Sequence, residues 1–61
     1  MRYQLVYTIK GQPGTYVKYF AHKPNTDEIL VVFEKERNEI KSAALYKEDS
    51  RQGWVEVRKL V

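Results

Sequence analysis

Aromatic and basic side chains alternate with mostly aliphatic ones in four short segments of the chain. The aromatic and basic set is Tyr16, Lys18, Phe20, Tyr46, Trp54 and Arg58, with His22 at the end of its segment. The alternating set is Leu5, Tyr7, Ile9, Val17, Tyr19, Ala43, Leu45, Val55 and Val57. Because the side chains of a strand alternate between two faces, each set is predicted to lie on one face of a sheet. Aromatic rings stack on bases or seal protein contacts, and cations bind phosphates, so the first set predicts a binding face.

The residues that usually perform catalysis are scarce. His22 is the one histidine and cysteine is absent, so the sequence predicts no catalytic residue, no metal site and no cofactor. The three glycines fit turns and do not form a phosphate-binding loop. Small basic ribonuclease toxins work with Lys, Arg, His and Tyr alone, and a nuclease of that kind is kept as a third alternative.

The length of 61 residues predicts one domain, residues 1–61. A chain this short buries only about 60% of its unfolded surface, so a partner or a second copy would help its stability. The lack of cysteine suits a reducing compartment. No apolar stretch approaches the roughly 18 residues of a membrane span. We therefore expect a cytoplasmic protein that does not enter a membrane.

Charge is distributed unevenly along the chain, whose net charge is +3. Residues 27–39 contain five acids and two bases, whereas the remainder contains nine bases and three acids. The acidic block coincides with the predicted helix, and the basic excess coincides with the predicted sheet. Charge separated in this way can orient a molecule toward a polyanion.

The register of the first predicted hairpin decides which aromatic residues face outward. Strands are predicted at residues 2–10 and 15–22. An even-length loop would turn Tyr16, Lys18 and Phe20 toward the core. A three-residue loop over residues 12–14 would turn them outward, and Gly14 supplies its left-handed position. We predict the three-residue loop, because it also keeps Lys18 out of the core.

A helix is predicted over residues 26–37. Asn25 and Glu28 have the spacing of a capping box, and Asn38 fits a left-handed C-cap. Residues 29–33 are a β-branched apolar run, so a strand there, within a five-stranded barrel, is the alternative. Further strands are predicted at residues 40–47 and 54–60.

The order ββαββ predicts an α+β fold with two layers. The helix returns the chain so that the second and third strands run in the same direction, and the first strand fits between them. The result is a four-stranded antiparallel sheet in the order 2-1-3-4, with the helix on one face and the other face open.

The layout resembles short accessory proteins encoded by bacteriophages and prophages. The resemblance lies in NTDEILVVFEKERNEIKSAALYKED and GWVEV, about half of the chain. It implies a non-enzymatic protein that modulates a host protein by binding it. We therefore expect docking on a protein partner, or self-association, through the aromatic and basic face. Binding of single-stranded DNA or RNA by the same face is the alternative.

Overall fold

A computed structural model describes residues 2–36 and 39–61 of the protein. The secondary-structure elements follow one another in the order ββαββ. They are β1 (Tyr3–Ile9), β2 (Tyr16–Phe20), α1 (Thr26–Glu34), β3 (Ile40–Asp49) and β4 (Gly53–Lys59). The strands form one antiparallel sheet in the order β2-β1-β3-β4. The predicted α+β class, sheet order and helix are confirmed.

A reciprocal cap starts α1. The Glu28 amide donates to Asn25 Oδ1 at 2.8 Å, and the Asn25 amide donates to Glu28 Oε1 at 3.2 Å. The predicted capping box is thus present, and a strand at residues 29–33 is wrong. The helix ends at Glu34 with Lys35 as its C-cap, earlier than predicted. The predicted cap Asn38 lies outside the described residues.

The core lies between α1 and the two central strands. Leu5 and Ile9 have exposed fractions of 0% and 2%. They form one cluster with Tyr7, Ile29 and Ala43, and Leu45 is also buried. Val32 and Phe33 pack on the cluster from the helix, as the helical spacing predicts. We call this side of the sheet the covered face.

The predicted register of the first hairpin is wrong. Leu5 pairs with Lys18 and Tyr7 pairs with Tyr16, so odd positions of β1 face even positions of β2. Because paired residues point to the same side, Lys18 and Tyr16 lie on the covered face. Phe20 follows them there, while the alternate residues of β2 point to the other side.

An early turn accounts for this register. Gly11 has a φ of 81°, and the Gln12 amide donates to the Ile9 carbonyl at 3.1 Å. The chain thus turns before the predicted loop, and residues 8–15, an even number, separate the paired Tyr7 and Tyr16. The expected penalty for Lys18 does not arise, because β2 is an edge strand and Lys18 stays exposed.

A bulge in the second hairpin reverses the position of Arg58. Tyr46 pairs with Glu56, but Leu45 pairs with Arg58, so Val57 is an extra residue in β4. Beyond a one-residue bulge the side chains exchange faces. Arg58 therefore lies on the covered face beside Leu45, and the prediction that it shares a face with Trp54 is wrong.

The other side of the sheet has no helix on it in the described part of the chain, and we call it the open face. It consists of the side chains of Arg2, Gln4, Val6, Thr8, Val17, Tyr19, Ser42, Ala44, Tyr46, Glu48, Trp54, Glu56 and Lys59. The molecule measures 35 × 23 × 15 Å, and the short dimension is typical of two layers. Residues 2–36 and 39–61 contain no helix long and apolar enough to span a membrane.

Candidate binding face

An aromatic and charged cluster occupies one end of the open face. Strand pairing brings it together: the Glu48 amide donates to the Arg2 carbonyl at 2.9 Å, and Glu48 pairs with Trp54 in β4. Tyr19 reaches the same point from the edge strand β2. All four strands or their extensions thus contribute to the cluster of Arg2, Tyr19, Glu48 and Trp54.

The cluster fixes the guanidinium of Arg2 on two sides. Arg2 Nη2 lies 2.9 Å from Glu48 Oε2, and Arg2 Nε lies 3.4 Å from Glu48 Oε1. The Arg2 Cζ atom lies 5.9 Å from the centre of the Trp54 ring, within cation–π range. The Tyr19 and Trp54 ring centres are 6.2 Å apart at an interplanar angle of 48°. The two rings thus lean toward each other across the central strands.

The ion pair keeps both of its members charged. The hydrogen bond from Arg2 lowers the pKa of the Glu48 carboxyl, and its charge adds to the effect. The same hydrogen bond raises the pKa of Arg2. The side chains of Arg2 and Glu48 are 61% and 38% exposed, so the pair contributes orientation more than stability.

Small and apolar side chains form the centre of the open face. Val6 lies opposite Val17 on one side and Ala44 on the other. The open face has a depression of about 220 Å³ beside Ala44 and Tyr46. Another depression, of about 380 Å³, lies on the covered face. The open face thus has an apolar centre of small side chains next to the aromatic cluster.

Charges of both signs lie on the open face in equal number. Arg2 is paired with Glu48, and Glu56 and Lys59 both border the depression beside Tyr46. The two cations and two acids cancel. The basic excess of the chain therefore does not lie on this face, contrary to the prediction that Lys18 and Arg58 make it basic.

The six predicted binding residues are divided between the two faces. Tyr46 and Trp54 lie on the open face as predicted. Tyr16 instead stacks on Tyr7 on the covered face, at 5.6 Å between ring centres, and donates to Gln12 Oε1 at 2.7 Å. Phe20 packs against the core. These two aromatic residues contribute to folding on the covered side.

Lys18 and Arg58 lie on the covered face as well, on opposite edges of the sheet. Arg58 borders a groove between β4 and the start of α1, whose lining is Lys23, Pro24, Asn25, Thr26, Ile29, Leu45, Val57, Arg58 and Leu60. The predicted set therefore does not form one site.

The sequence reasoning missed Arg2, Val17 and Tyr19. Val17 and Tyr19 were assigned to the core because the hairpin register was wrong, yet Tyr19 is 58% exposed. Arg2 is at an even position of the first predicted strand, whereas Leu5, Tyr7 and Ile9, predicted to share the other face, are at odd positions. That parity was the available signal for Arg2.

His22 contacts a residue of the helix cap. Its Nε2 lies 3.3 Å from Glu28 Oε2, and the other oxygen of Glu28 serves the helix cap. Within the part of the chain that the structure describes, no three His, Asp or Glu side chains gather as metal ligands.

Comparisons with protein families, with curated proteins and with solved structures found no match for this chain.

Proposed function

We propose that this chain is a small non-catalytic binding protein that docks on another protein through its open face. The cluster of Arg2, Tyr19, Glu48 and Trp54 is the observation that carries the proposal. Trp, Tyr and Arg are the residues most enriched among those that dominate protein interfaces. Here they stand together, partly exposed, beside an apolar centre.

The fixed position of Arg2 favours tight docking. A mobile arginine loses side-chain entropy when it binds, at a cost of about 0.5–1.5 kcal/mol per ordered side chain. Arg2 is already held by Glu48 and by the Trp54 ring, so part of that cost is met in the free protein. The rings of Tyr19 and Trp54 restrain each other in the same way.

The distribution of charge favours a protein partner over a nucleic acid. Single-strand binders combine aromatic stacking with cations that follow the backbone. On the open face the cations are matched by Glu48 and Glu56, while Lys18 and Arg58 point to the opposite side. A neutral aromatic surface suits the apolar centre and mixed rim of a protein interface.

The size of the face agrees with this proposal. The two longer extents of the molecule, 35 and 23 Å, enclose about 800 Å², an upper limit for the broad side that is of the same order as the area each partner contributes to an interface of standard size. The layout resemblance to phage and prophage accessory proteins supports a modulator that acts by occupying a surface of its partner. The cysteine-free composition suits action in the cytoplasm.

Photo-crosslinking tests the proposal with a matched control. A benzoylphenylalanine is placed at Val17 on the open face or at Val31 on the outer side of α1, where the exposed fractions are 45% and 49%. We expect adducts with another protein from position 17 and none from position 31. Equal yields at the two positions, or none at position 17, would contradict the proposal.

A titration with mixed-sequence single-stranded oligonucleotides separates the nucleic-acid alternative. Trp54 is the sole tryptophan, so its fluorescence reports on the open face. We expect no saturable change at about 50 mM salt. Saturable quenching that weakens steeply as salt is added would favour nucleic-acid binding instead. Sedimentation velocity tests whether the docked protein is a second copy.

A further inference from the structure

The edge strand β2 is open to the addition of another strand. Its five residues carry one charge, at Lys18, and it pairs with β1 without a register shift. Tyr16, Val17 and Tyr19 are all at least 36% exposed. An edge strand presents backbone N–H and C=O groups along its outer side, and a regular, weakly charged edge accepts another strand readily.

The opposite edge strand has the features that block such pairing. β4 contains Glu56, Arg58 and Lys59, and the bulge at Val57 interrupts its register. Charged residues and bulges are the usual protection of an edge. The two edges of the sheet therefore differ, and β2 is the receptive one.

Lys18 sets the charge that an added strand must match. Its side chain is exposed and takes part in none of the salt bridges that occur in residues 2–36 and 39–61. A new strand would lie about 4.8 Å from β2, with one residue directly opposite Lys18. Opposite charges in such a pair are favourable and like charges are unfavourable.

We propose that β2 binds an extended segment of a partner protein that places an acidic residue opposite Lys18. The residues two positions to either side of that acid face Tyr16 and Phe20, so they are apolar. The inference rests on the proposed function and specifies the docking segment, because Val17 and Tyr19 of β2 belong to the open face. Main-chain hydrogen bonds supply affinity and the acid supplies selectivity.

A second copy of β2 fits this edge poorly. When two copies of β2 pair antiparallel along all five residues, Lys18 of one copy lies directly opposite Lys18 of the other. Registers that separate the two lysines leave fewer residues paired. Charge therefore favours an acidic partner strand over self-pairing.

Selection from a phage-displayed library of random nine-residue peptides tests the inference. We expect the wild-type protein to enrich an acid flanked by apolar residues two positions away. We expect an acid to be enriched about fivefold over an uncharged residue at this position, the ratio that corresponds to a cross-strand charge pair of about 1 kcal/mol. The Lys18→Glu variant should reverse this preference toward Lys or Arg. The matched control Arg58→Glu, the same reversal on β4, should leave it unchanged.

Amide hydrogen exchange of the protein with a selected peptide locates the binding. Protection of β2 amides and not of β4 amides is expected. Failure to enrich peptides, an acid preference that survives Lys18→Glu, or protection on β4 would overturn the inference. A peptide-free wild-type dimer with protected β2 amides would also overturn it, by assigning the edge to a second copy.

The two proposals fail separately. Trp54→Ala alters the cluster on the open face and leaves Lys18 in place, so it should not change the charge preference of the selected peptides. Adducts from position 17 that survive Trp54→Ala, together with an intact Lys18 preference, would reject docking by the open-face cluster and keep the role of the edge. The reverse pattern would reject the edge alone.

Discussion

The covered face and the open face use the same strands for different purposes. On the covered face, aliphatic residues such as Leu5 and Ile9 are removed almost completely from water under α1. On the open face, Tyr19 and Trp54 remain partly exposed; their rings lie beside each other, and Arg2 lies over the Trp54 ring. Neighbouring residues of one strand thus lie in the core or at the surface according to the face they occupy.

Adjacent residues of β1 provide the sharpest test of this division. Leu5→Ala should destabilise the fold by about 2–5 kcal/mol, which is enough to unfold a domain of this size. Val6→Ala, one residue later and on the open face, should cost about 1 kcal/mol or less. Urea denaturation followed by circular dichroism measures both. Similar losses for the two variants would show that the open face is also part of the core.

The cap of α1 stabilises the helix that packs on the covered face. Asn25→Ala removes the acceptor for the Glu28 amide and should cost about 1 kcal/mol. Asn25→Asp keeps a side-chain oxygen in that place and should recover most of the loss. The midpoint of urea unfolding measures the difference. An Asn25→Ala variant as stable as the wild type would show that the capping box does not stabilise the fold.

The aromatic pair of the open face should show a measurable coupling. A double-mutant cycle with Tyr19→Ala and Trp54→Ala should give about 0.5–1 kcal/mol of interaction energy in unfolding experiments. The basis is the 6.2 Å separation of the two ring centres. Additive effects of the two changes would mean that the rings do not restrain each other before binding.

The ion pair of the open face should give a small, acid-side dependence of stability. Arg2 lowers the pKa of Glu48 in the folded protein. The ion pair therefore makes its full contribution to the free energy of unfolding above the ordinary pKa of a glutamate. That contribution is lost as the pH falls through the lowered pKa. Glu48→Gln should flatten this part of the profile.

Some acid dependence should persist in Glu48→Gln. Backbone amides of Gln52 and Arg51 also lower the pKa of Asp49, and the variant keeps that carboxyl. Thermal unfolding between pH 2 and pH 7 tests this. Parallel profiles for wild type and variant would contradict a folded-state role of the Arg2–Glu48 pair.

Local signals in the sequence were sufficient for the architecture. The capping box at Asn25 and Glu28 marks the start of the helix, and the spacing of Ile29, Val32 and Phe33 marks its buried side. With four strands in the order ββαββ, chain connectivity then leaves few possible sheets. The helix, the sheet order and the open face followed from these features.

The composition of the open face could not be predicted in the same way, because it depends on single-residue events. The turn at Gly11 set the register of the first hairpin, and the extra residue Val57 shifted the second. Either event moves every later side chain of its strand to the opposite face. Parity patterns do not reveal such insertions, so Tyr16, Lys18, Phe20 and Arg58 were assigned to the wrong side.

Crosslinking from position 17 in two further variants tests the central claim most directly. Trp54→Ala alters the open face, whereas Arg58→Ala truncates a side chain of the same strand, β4, on the covered face. Both proteins are first confirmed as folded by circular dichroism. We predict that Trp54→Ala abolishes the protein adducts formed from position 17 and that Arg58→Ala retains them. Adducts that survive Trp54→Ala, or that are lost equally in both variants, would contradict docking by the open face.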